Sequence, residues 1–201
     1  MSDWYKAHAH AVIDSIVLPA HSDVLDIGCG TGYLLRNLLR NREDVRALGL
    51  DISSSMITEA TSRAANENTQ NLSFRAANFE HLDDSILSDY RFQCIFCINT
   101  FHYFAEPLVT LRKIHGLLSA NGSLYILERD KSGSVLTRLW ALLHRYVILD
   151  HVRFASKKQL MADCRRIGFD RIDELFTVKR FFWKHKAYTS IVFIHCKKPM
   201  K

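Results

Sequence analysis

The sequence predicts an α/β fold, and two observations lead to this prediction. An apolar, strand-type run at 24–27 is followed by three glycines at alternate positions and then by leucines at helical spacing, which is the pattern of a strand, a turn and the start of a helix. Further strand-type runs alternate with helix-type segments along the rest of the chain. Alternation of this kind is typical of α/β domains.

The elements follow one another in the order set by apolar runs, prolines and glycines. After the first strand, six more strands are predicted at 45–50, 72–77, 92–99, 123–127, 170–178 and 187–196. Helices are predicted at 4–18, 33–39, 53–68, 107–118 and 157–167. Pro19 stops the leading helix, Pro107 begins the fourth and Gly168 ends the last, because proline interrupts a helix but suits its first turn, and glycine suits its end.

Length and composition indicate a single domain over residues 1–201. The chain is 48% hydrophobic, so a sizeable core is expected rather than disorder. No apolar run reaches about eighteen residues, so no transmembrane segment is expected, and the first residues lack the order of a signal peptide. Five cysteines without framework spacing favour a reducing, cytoplasmic location.

The net charge of +6 is unevenly distributed along the chain. Residues 1–130 contain 11 Lys and Arg against 16 Asp and Glu, whereas residues 131–201 contain 16 against 5. The basic half either meets an acidic partner or forms an ordinary solvated surface. The scattered spacing of its basic residues favours the second interpretation.

The glycine turn predicts a ligand site. Gly28, Gly30 and Gly32 allow the backbone to bend sharply and to contact a ligand at a helix N-terminus. A dinucleotide turn needs Gly-x-Gly-x-x-Gly, but Tyr33 occupies the sixth position. Asp26, two residues before the first glycine, repels phosphate and suits a ligand with an ammonium group. A structural turn in another α/β protein is the alternative.

The stretch 24–35 resembles motif I of the class I S-adenosylmethionine (SAM)-dependent methyltransferases. Asp51, at the end of the second strand, is similar to the acid of motif II, and 111–128 is similar to the family's passage into strand five. The resemblance covers roughly 20–196 and implies a Rossmann-like three-layer sandwich. Its mostly parallel, seven-stranded sheet would have the order 3-2-1-4-5-7-6, with strand 7 antiparallel. SAM would be the cofactor and S-adenosylhomocysteine the product.

The resemblance also implies a set of cofactor contacts. They are Asp26, Gly28, Cys29, Gly30, Gly32 and the Asn99 backbone for the methionine end, Asp51 for the ribose, and Ile52, Asn78 and Phe79 for the adenine. An acid at a strand end accepts hydrogen bonds from both ribose hydroxyls, although Asp51 or Ser53 also suits a helix cap. Asn78 stands where Asp is commoner, but its amide still offers an acceptor oxygen.

Methyl transfer is an in-line displacement on an activated carbon, so positioning supplies much of the acceleration. A base is needed only where the acceptor loses a proton, and no catalytic residue stands out. The candidates are His102 and Tyr103, which the family places beside the methyl, His151 and Arg153 after the variable segment, and Tyr5 in the leading helix. Each has a packing or surface role as its alternative.

The remaining features bear on the acceptor. Cys94 and Cys97 would face opposite sides of a strand, so no metal site is expected. A small-molecule acceptor is favoured over nucleic acid, because neither an Asn/Asp-Pro-Pro-Tyr/Phe signature nor an added RNA-binding module occurs. A SAM-binding sensor or scaffold without catalysis stays open, as does a NAD-dependent oxidoreductase, which the glycine spacing disfavours.

Two segments are expected to cover the site. The leading helix at 1–19 lies either over the pocket or against the sheet edge. Residues 131–155 form a variable insertion, and its apolar, mildly basic part at 135–149 is interpreted as a substrate lid, with a dimer contact or a membrane-surface helix as alternatives. Its apolar residues and arginines predict an apolar or aromatic acceptor with an acidic group. The sequence does not determine the oligomeric state.

Overall fold

A computed structural model describes residues 10, 12–67, 71–130, 155–180 and 189–200. Its strands are β1 (Asp23–Ile27), β2 (Arg46–Asp51), β3 (Leu72–Ala76), β4 (Phe92–Ile98), β5 (Leu118–Asp130), β6 (Arg171–Arg180) and β7 (Thr189–Lys197). They form one sheet in the order β3-β2-β1-β4-β5-β7-β6. β1 pairs in parallel with β2 and β4, whereas β7 runs antiparallel between β5 and β6. The sheet order implied by the resemblance is therefore confirmed.

In the described residues, four helices accompany the sheet in addition to the end of the leading helix. They are α1 (Tyr33–Leu38), α2 (Ser54–Asn66), α3 (Pro107–Leu117) and α4 (Lys157–Ile167), with 3-10 turns at Phe79–His81, Asp84–Leu87 and Phe101–Tyr103. At the start of α2 the Ser53 hydroxyl accepts a hydrogen bond from the Met56 N–H. Pro107 occupies the first turn of α3, and Gly168 ends α4 with a φ of 113°. These caps and breakers lie where the sequence indicated them.

Helices cover both faces of the sheet and give it three layers. One apolar cluster joins Leu111 of α3 and Leu160 of α4 to the strands. A second cluster, on the other face, includes Leu34 of α1. Cys94 belongs to the second cluster and Cys97 to the first, which confirms that the two thiols face opposite sides of β4. The core therefore holds the carboxyl ends of the central strands in fixed positions.

The leading helix ends earlier than predicted. In the described residues the helix reaches only residue 14, where a turn bond joins the Ser15 N–H to the Val12 carbonyl at 3.0 Å, and residues 16–19 are not helical. β-Branched residues such as Val17 lose side-chain freedom in a helix. The residue before Pro19 is also biased away from helical dihedrals, so the prediction to residue 18 is wrong at this end.

Strand β5 begins five residues before its predicted start. Asn121 has the left-handed backbone expected of an Asn-Gly turn, with a φ of 57°. However, Leu118 already pairs with Phe92 of β4, and a register shift follows before Ser123 pairs with Cys94. The turn residues are thus absorbed as an irregularity inside the strand instead of preceding it.

Some predictions fall on residues that the structure does not describe. The apolar segment at 135–149, which the sequence interpretation made a substrate lid, lies wholly outside the described residues, as do most of the residues that separate the last two predicted strands. Of the helices that are described, none combines the length and the hydropathy that a membrane crossing requires.

Replacing glycine by alanine is expected to have opposite effects on stability at two positions. At Gly49 of β2 a Cβ would lie 2.5 Å from the Phe74 ring and 2.8 Å from Cys29 Sγ, whereas at Gly116 of α3 it would meet nothing within 4 Å. We expect Gly49→Ala to lower the free energy of unfolding by about 1–3 kcal/mol through overpacking. Gly116→Ala should raise it by about 0.5–1 kcal/mol, because alanine is the better helix former.

Denaturant unfolding of both variants checks this pair, with the wild type as reference. A Gly49→Ala protein as stable as wild type would show that the ring and the thiol move aside freely. A loss of stability in Gly116→Ala would contradict the finding that the space around Gly116 is open.

Candidate functional site

The turn after β1 is built from left-handed glycines and is bonded to the end of β2. Gly28, Gly30 and Gly32 have φ values of 75°, 53° and 70°, a region that residues with side chains rarely adopt. The N–H groups of Gly28 and Cys29 both donate to the Leu50 carbonyl, at 2.7 and 3.0 Å. The turn is therefore fixed against the neighbouring strand.

Gly28 also has no space for a side chain. A Cβ there would lie 2.1 Å from Oγ1 of Thr100, and this hydroxyl donates to the Ile98 carbonyl at 3.2 Å. The loop after β4 thus packs directly on the turn after β1. In the sequence, Thr100 is marked only by its place in the segment 99–104, which resembles the family's loop after the fourth strand.

Asp51, at the end of β2, connects the glycine turn to helix α2. Its Oδ2 accepts a hydrogen bond from the Gly30 N–H at 2.8 Å, and its Oδ1 accepts one from the Ser53 N–H at 2.9 Å. Ser53 itself caps α2. The two alternatives for Asp51 are therefore compatible, since its carboxylate supports the helix start while it borders a cavity.

A cavity of about 500 Å³ opens at the carboxyl ends of β1, β2 and β4. It is lined by Ile27, Gly28, Gly30, Thr31, Leu50, Asp51, Ile52, Met56, Ala77, Asn78, Phe79, Glu80, Ile98, Asn99, Thr100, Tyr103 and Phe104. The carboxyl edge of a parallel sheet is where open α/β folds bind ligands. Of the sequence-predicted residues, eight are brought together here: Gly28, Gly30, Asp51, Ile52, Asn78, Phe79, Asn99 and Tyr103.

Large apolar side chains border the mouth of this cavity and face solvent. Ile52 is 73% exposed, Tyr103 61% and Met56 44%. Exposed apolar groups that gather around a concave site are typical of ligand contact. The cavity thus has an apolar rim, with Asp51 and backbone groups among the polar parts of its lining.

Asn78 and Phe79 form the wall that follows β3. The Asn78 side-chain oxygen accepts from the Glu80 N–H at 3.0 Å and caps the 3-10 turn. Phe79 is only 4% exposed. Its ring centroid lies 6.4 Å from the Phe104 ring centroid and 5.3 Å from the ammonium nitrogen of Lys113. Phe79 therefore contributes to the core as well as to the cavity wall.

Glu80 joins this wall to the start of α3. Its carboxylate accepts hydrogen bonds from the N–H groups of Ala105 and Glu106, both at 3.0 Å, and from the Thr110 hydroxyl at 3.1 Å. Partial burial alone would raise the pKa of Glu80, but these hydrogen bonds outweigh it and hold the pKa below its ordinary value. The sequence pattern assigned Glu80 no role, although an acid so close to Asn78 is a detectable signal.

Asp26 lies buried in β1 and does not line the cavity. It is 2% exposed, and its Oδ1 has no hydrogen-bond partner among the described residues. Burial, and secondly the negative charge of Asp51, raise the pKa of Asp26 to about 8. A buried carboxyl with an oxygen that lacks a donor is costly to ionise, so Oδ1 is suited to a cationic or proton-donating partner.

Three further predicted residues occupy different positions. Asn99 lines the cavity with a left-handed φ of 54°, and its N–H donates to the Leu127 carbonyl at 2.8 Å. Cys29 is buried, and this burial raises the pKa of its thiol far above the ordinary value. Gly32 faces the Phe74 ring, which a Cβ would meet at 2.4 Å. Neither Cys29 nor Gly32 lines the cavity.

His102 forms a buried pair with Glu128 beside the cavity. The Nδ1 of His102 lies 2.9 Å from both carboxylate oxygens, and its backbone N–H donates to Oε2 at 3.1 Å. Glu128, at the end of β5, also accepts from the Arg129 N–H at 2.8 Å. Sequence reasoning named His102 but missed Glu128; an acid directly after the apolar strand predicted at 123–127 was the available signal.

Tyr103 follows His102 and does line the cavity. The two ring centroids are 4.1 Å apart. The other catalytic candidates, Tyr5, His151 and Arg153, lie outside the described residues.

Comparison with known proteins adds independent information. A family model described as a methyltransferase domain matches residues 19–193. The fold is similar to that of the solved YcgJ protein of Bacillus subtilis, with a TM-score of 0.79, 16% identity, and coverage of 98% of this chain and 100% of that one. At this identity the likeness concerns the fold alone.

Three curated relatives are each matched by this chain over only part of their own length. A malonyl-[acyl-carrier protein] O-methyltransferase of Acetivibrio thermocellus is 31% identical over 59% of this chain and 40% of that protein. A ubiquinone biosynthesis O-methyltransferase of Acinetobacter baumannii is 23% identical over 74% and 64%. A tRNA U34 carboxymethyltransferase of Wolinella succinogenes is 24% identical over 89% and 62%. The chain thus spans less than two thirds of the length of each.

The family model covers most of the chain, and the sheet order and the glycine turn agree with it. The protein therefore belongs to the SAM-dependent methyltransferases with the class I, Rossmann-like fold.

Proposed function

We propose that this methyltransferase acts on a small organic acceptor and methylates it on oxygen. The observation that carries the proposal is the mouth of the cavity, where Met56 and Tyr103 are exposed and no Lys or Arg is among the described lining residues. An apolar mouth suits a small organic ligand, whereas binding of a nucleic acid depends on Lys and Arg at its phosphates. Two of the curated relatives are named O-methyltransferases.

We also propose how SAM is held. Asp51 would accept hydrogen bonds from the ribose, Asn78 and Phe79 would border the adenine, and Ile52 would cover it. The 73% exposure of Ile52 supports this assignment, because an adenine ring would remove that apolar surface from water.

The methionine end of SAM would meet the glycine turn. The N–H groups of Gly28, Cys29 and Gly30 already bond to Leu50 and Asp51, so these glycines would serve by letting the ligand approach the backbone closely. Gly28, Gly30 and Thr31 line the cavity at this point.

Asp26 does not line the cavity, but its buried Oδ1 has no hydrogen-bond partner among the described residues, so it would accept from an ammonium group that enters past the glycine turn. The backbone carbonyl of Asn99, which lines the cavity, would offer a second acceptor. Together with Asp51, these residues suit the ammonium and ribose groups of SAM.

The chemistry requires little beyond alignment. Bound SAM supplies a methyl carbon that is already activated by its sulfonium, so holding acceptor, methyl and sulfur in line accounts for much of the acceleration. The rigid carboxyl edge of β1, β2 and β4 serves this purpose, because the turn and the loop after β4 pack on each other.

Asp51→Ala should weaken binding of S-adenosylhomocysteine by roughly 1.5–3 kcal/mol, the scale of hydrogen bonds to a charged group. Part of this loss would come from the freed Gly30 N–H, which Asp51 now holds. Isothermal calorimetry measures the change. Asp44→Ala is the matched control, since Asp44 precedes β2 at the opposite end and pairs with Arg42. Equal affinity in wild type and Asp51→Ala would reject the ribose role.

Binding of S-adenosylhomocysteine should strengthen as pH rises from about 5.5 to 7. Asp26 has a raised pKa of about 8, so below that pH it is mostly neutral, and pairing with the ligand ammonium requires the carboxylate. The affinity should then increase by up to about tenfold per pH unit, one proton being released per binding event. Calorimetry in buffers of different ionisation enthalpy counts this proton directly.

Two controls isolate Asp26. Asp26→Asn should remove the pH slope, and 5′-methylthioadenosine, which lacks the amino-acid end, should bind wild type without it. A slope that persists in Asp26→Asn would assign the proton to another group and exclude this role.

The acceptor class is tested by methyl transfer from labelled SAM to three fractions of a cell extract: small molecules, proteins and tRNA. We expect the label in the small-molecule fraction. Mass spectrometry of the labelled product, together with its hydrolysis by alkali or acid, should identify a methyl group bound to oxygen. Label confined to tRNA or protein would overturn the proposal while leaving the enzyme class intact. SAM binding without any transfer would favour a sensor or scaffold instead.

A further inference from the structure

We propose that the side chain of Asn99 binds the methyl acceptor and that the group it binds is the neutral hydroxyl that becomes methylated. This inference rests on the proposed function, because it requires a small organic acceptor in the cavity. The observation behind it is a side-chain amide that lines the cavity from a left-handed backbone and has no hydrogen-bond partner in the described residues.

The backbone of Asn99 is left-handed, with a φ of 54°. Few residues with a side chain adopt this region, and those that do are concentrated at functional sites. The glycine turn meets the same requirement with glycine at Gly28, Gly30 and Gly32. Asparagine tolerates the region better than most residues, but glycine would serve the backbone at least as well. The amide of Asn99 therefore needs a reason other than the backbone.

The backbone, and not the side chain, holds Asn99 in place. Its N–H donates to the Leu127 carbonyl at 2.8 Å. The next residue, Thr100, packs on the glycine turn so closely that a Cβ at Gly28 would lie 2.1 Å from its Oγ1. Within the part of the chain that the structure describes, the Asn99 side chain makes no hydrogen bond or ion pair. The amide thus stands at the cavity with its donor and acceptor groups available.

The order of the strands places Asn99 away from the proposed nucleoside contacts. β1 lies between β2 and β4, and Asp51 and Asn78 come at the ends of β2 and β3, whereas Asn99 follows β4. A cofactor with its ribose at Asp51 and its methionine end at the glycine turn would leave the β4 side of the cavity for the acceptor. Since the Asn99 carbonyl is proposed to meet the methionine end, its side chain would stand between cofactor and acceptor.

The β4 side of the cavity has polar groups but no formal charge. Its lining residues in the described part of the chain include no Asp, Glu, Lys, Arg or His; they are Ile98, Asn99, Thr100, Tyr103 and Phe104. The Thr100 hydroxyl is already engaged, because it donates to the Ile98 carbonyl at 3.2 Å. The amide of Asn99 and the phenol of Tyr103 therefore supply the polar recognition on this side.

Such a surface matches a hydroxyl better than a charged group. An asparagine amide both donates and accepts hydrogen bonds, as a hydroxyl does, whereas a carboxylate only accepts and an ammonium group only donates. A charged group would also lose its hydration here without an opposite charge to replace it, which is costly. The ring of Tyr103, which is 61% exposed at the mouth, offers an aromatic surface for the carbon skeleton of the acceptor.

The transfer to a hydroxyl balances without a charged side chain. The hydroxyl oxygen forms its bond to the methyl carbon, the C–S electron pair returns to sulfur, and the hydroxyl hydrogen leaves as a proton to water. A phenol, with a pKa near 10, releases this proton more readily than an aliphatic alcohol. Asn99 would hold the oxygen in line for the displacement, and alignment is what the reaction chiefly requires.

A pair of asparagine-to-glycine variants separates a binding role from a structural one. Asn99→Gly removes the amide and keeps a residue suited to the left-handed backbone. Asn121→Gly is the matched control, because Asn121 also has a left-handed φ, of 57°, but does not line the cavity. We expect both variants to unfold at the wild-type denaturant midpoint or above it. A midpoint lowered in Asn99→Gly alone would show that the amide supports the fold, and would overturn the proposal.

Acceptor binding is measured with the small-molecule fraction of the cell extract, supplied in serial dilution with saturating labelled SAM. Asn99→Gly should need about tenfold more of the fraction for its half-maximal rate, which is the scale of one lost hydrogen bond. Its affinity for S-adenosylhomocysteine, measured by calorimetry, should stay within about twofold of wild type, because the backbone carbonyl remains. Asn121→Gly should match wild type in both measurements.

The product identifies the acceptor group, and the outcomes separate the two proposals. We expect a methyl ether, which resists alkaline hydrolysis. A methyl ester would overturn the hydroxyl while leaving the proposed O-methylation in place. An unchanged half-maximal amount in Asn99→Gly, or an equal loss of affinity for S-adenosylhomocysteine, would also overturn the inference alone. No label in the small-molecule fraction would overturn the proposed function and this inference with it.

Discussion

The site depends on the bonds that tie the glycine turn to the end of β2. Two successive N–H groups, of Gly28 and Cys29, converge on the Leu50 carbonyl, and a third, of Gly30, reaches the Asp51 carboxylate. Three bonds from one short turn to one strand end leave the turn little freedom. The left-handed glycine backbone makes this possible, because a side chain at Gly28 would overlap Thr100.

Everything else at the cavity is arranged around that fixed turn. Thr100 brings the loop after β4 against it, and the same loop continues into His102 and Tyr103. On the opposite wall, Glu80 holds the N–H groups at the start of α3. The cavity therefore has two walls, each anchored by a carboxylate that bonds backbone of a neighbouring element. Rigid anchoring of this kind is what an in-line displacement requires.

The sequence was sufficient for features that depend on local chemistry. The glycine turn, the cap at Ser53, Pro107 and Gly168 act on the backbone within a few residues, so their effects are visible in the sequence itself. The order of the strands was available only through the family resemblance, since periodicity does not specify which strands are neighbours. The end of the leading helix and the start of β5 depended on competing local and long-range preferences, and both predictions were wrong there.

Features that arise from contacts distant in sequence were missed. Glu128 meets His102 across 26 positions, Glu80 meets Ala105 across 25, and Thr100 meets Gly28 across 72. Each of these residues has an ordinary local role in the sequence, as a strand end, a turn or a loop. These contacts arise because the parallel strands all end at the same edge of the sheet, which brings the loops that follow them together.

The buried Asp26 carboxyl has a consequence for folding as well as for binding. In the unfolded chain this group ionises near its ordinary pKa of 3.8, but the folded protein retains its proton up to about 8. The folded state thus binds more protons than the unfolded state in that interval. The contribution of Asp26 to the free energy of unfolding therefore falls as pH rises from about 4 to 8. A ligand that supplies a partner for the carboxylate offsets this loss, and mass action adds further stabilisation. Near neutral pH the cofactor would then serve the enzyme twice, as the methyl donor and as a component that completes its fold.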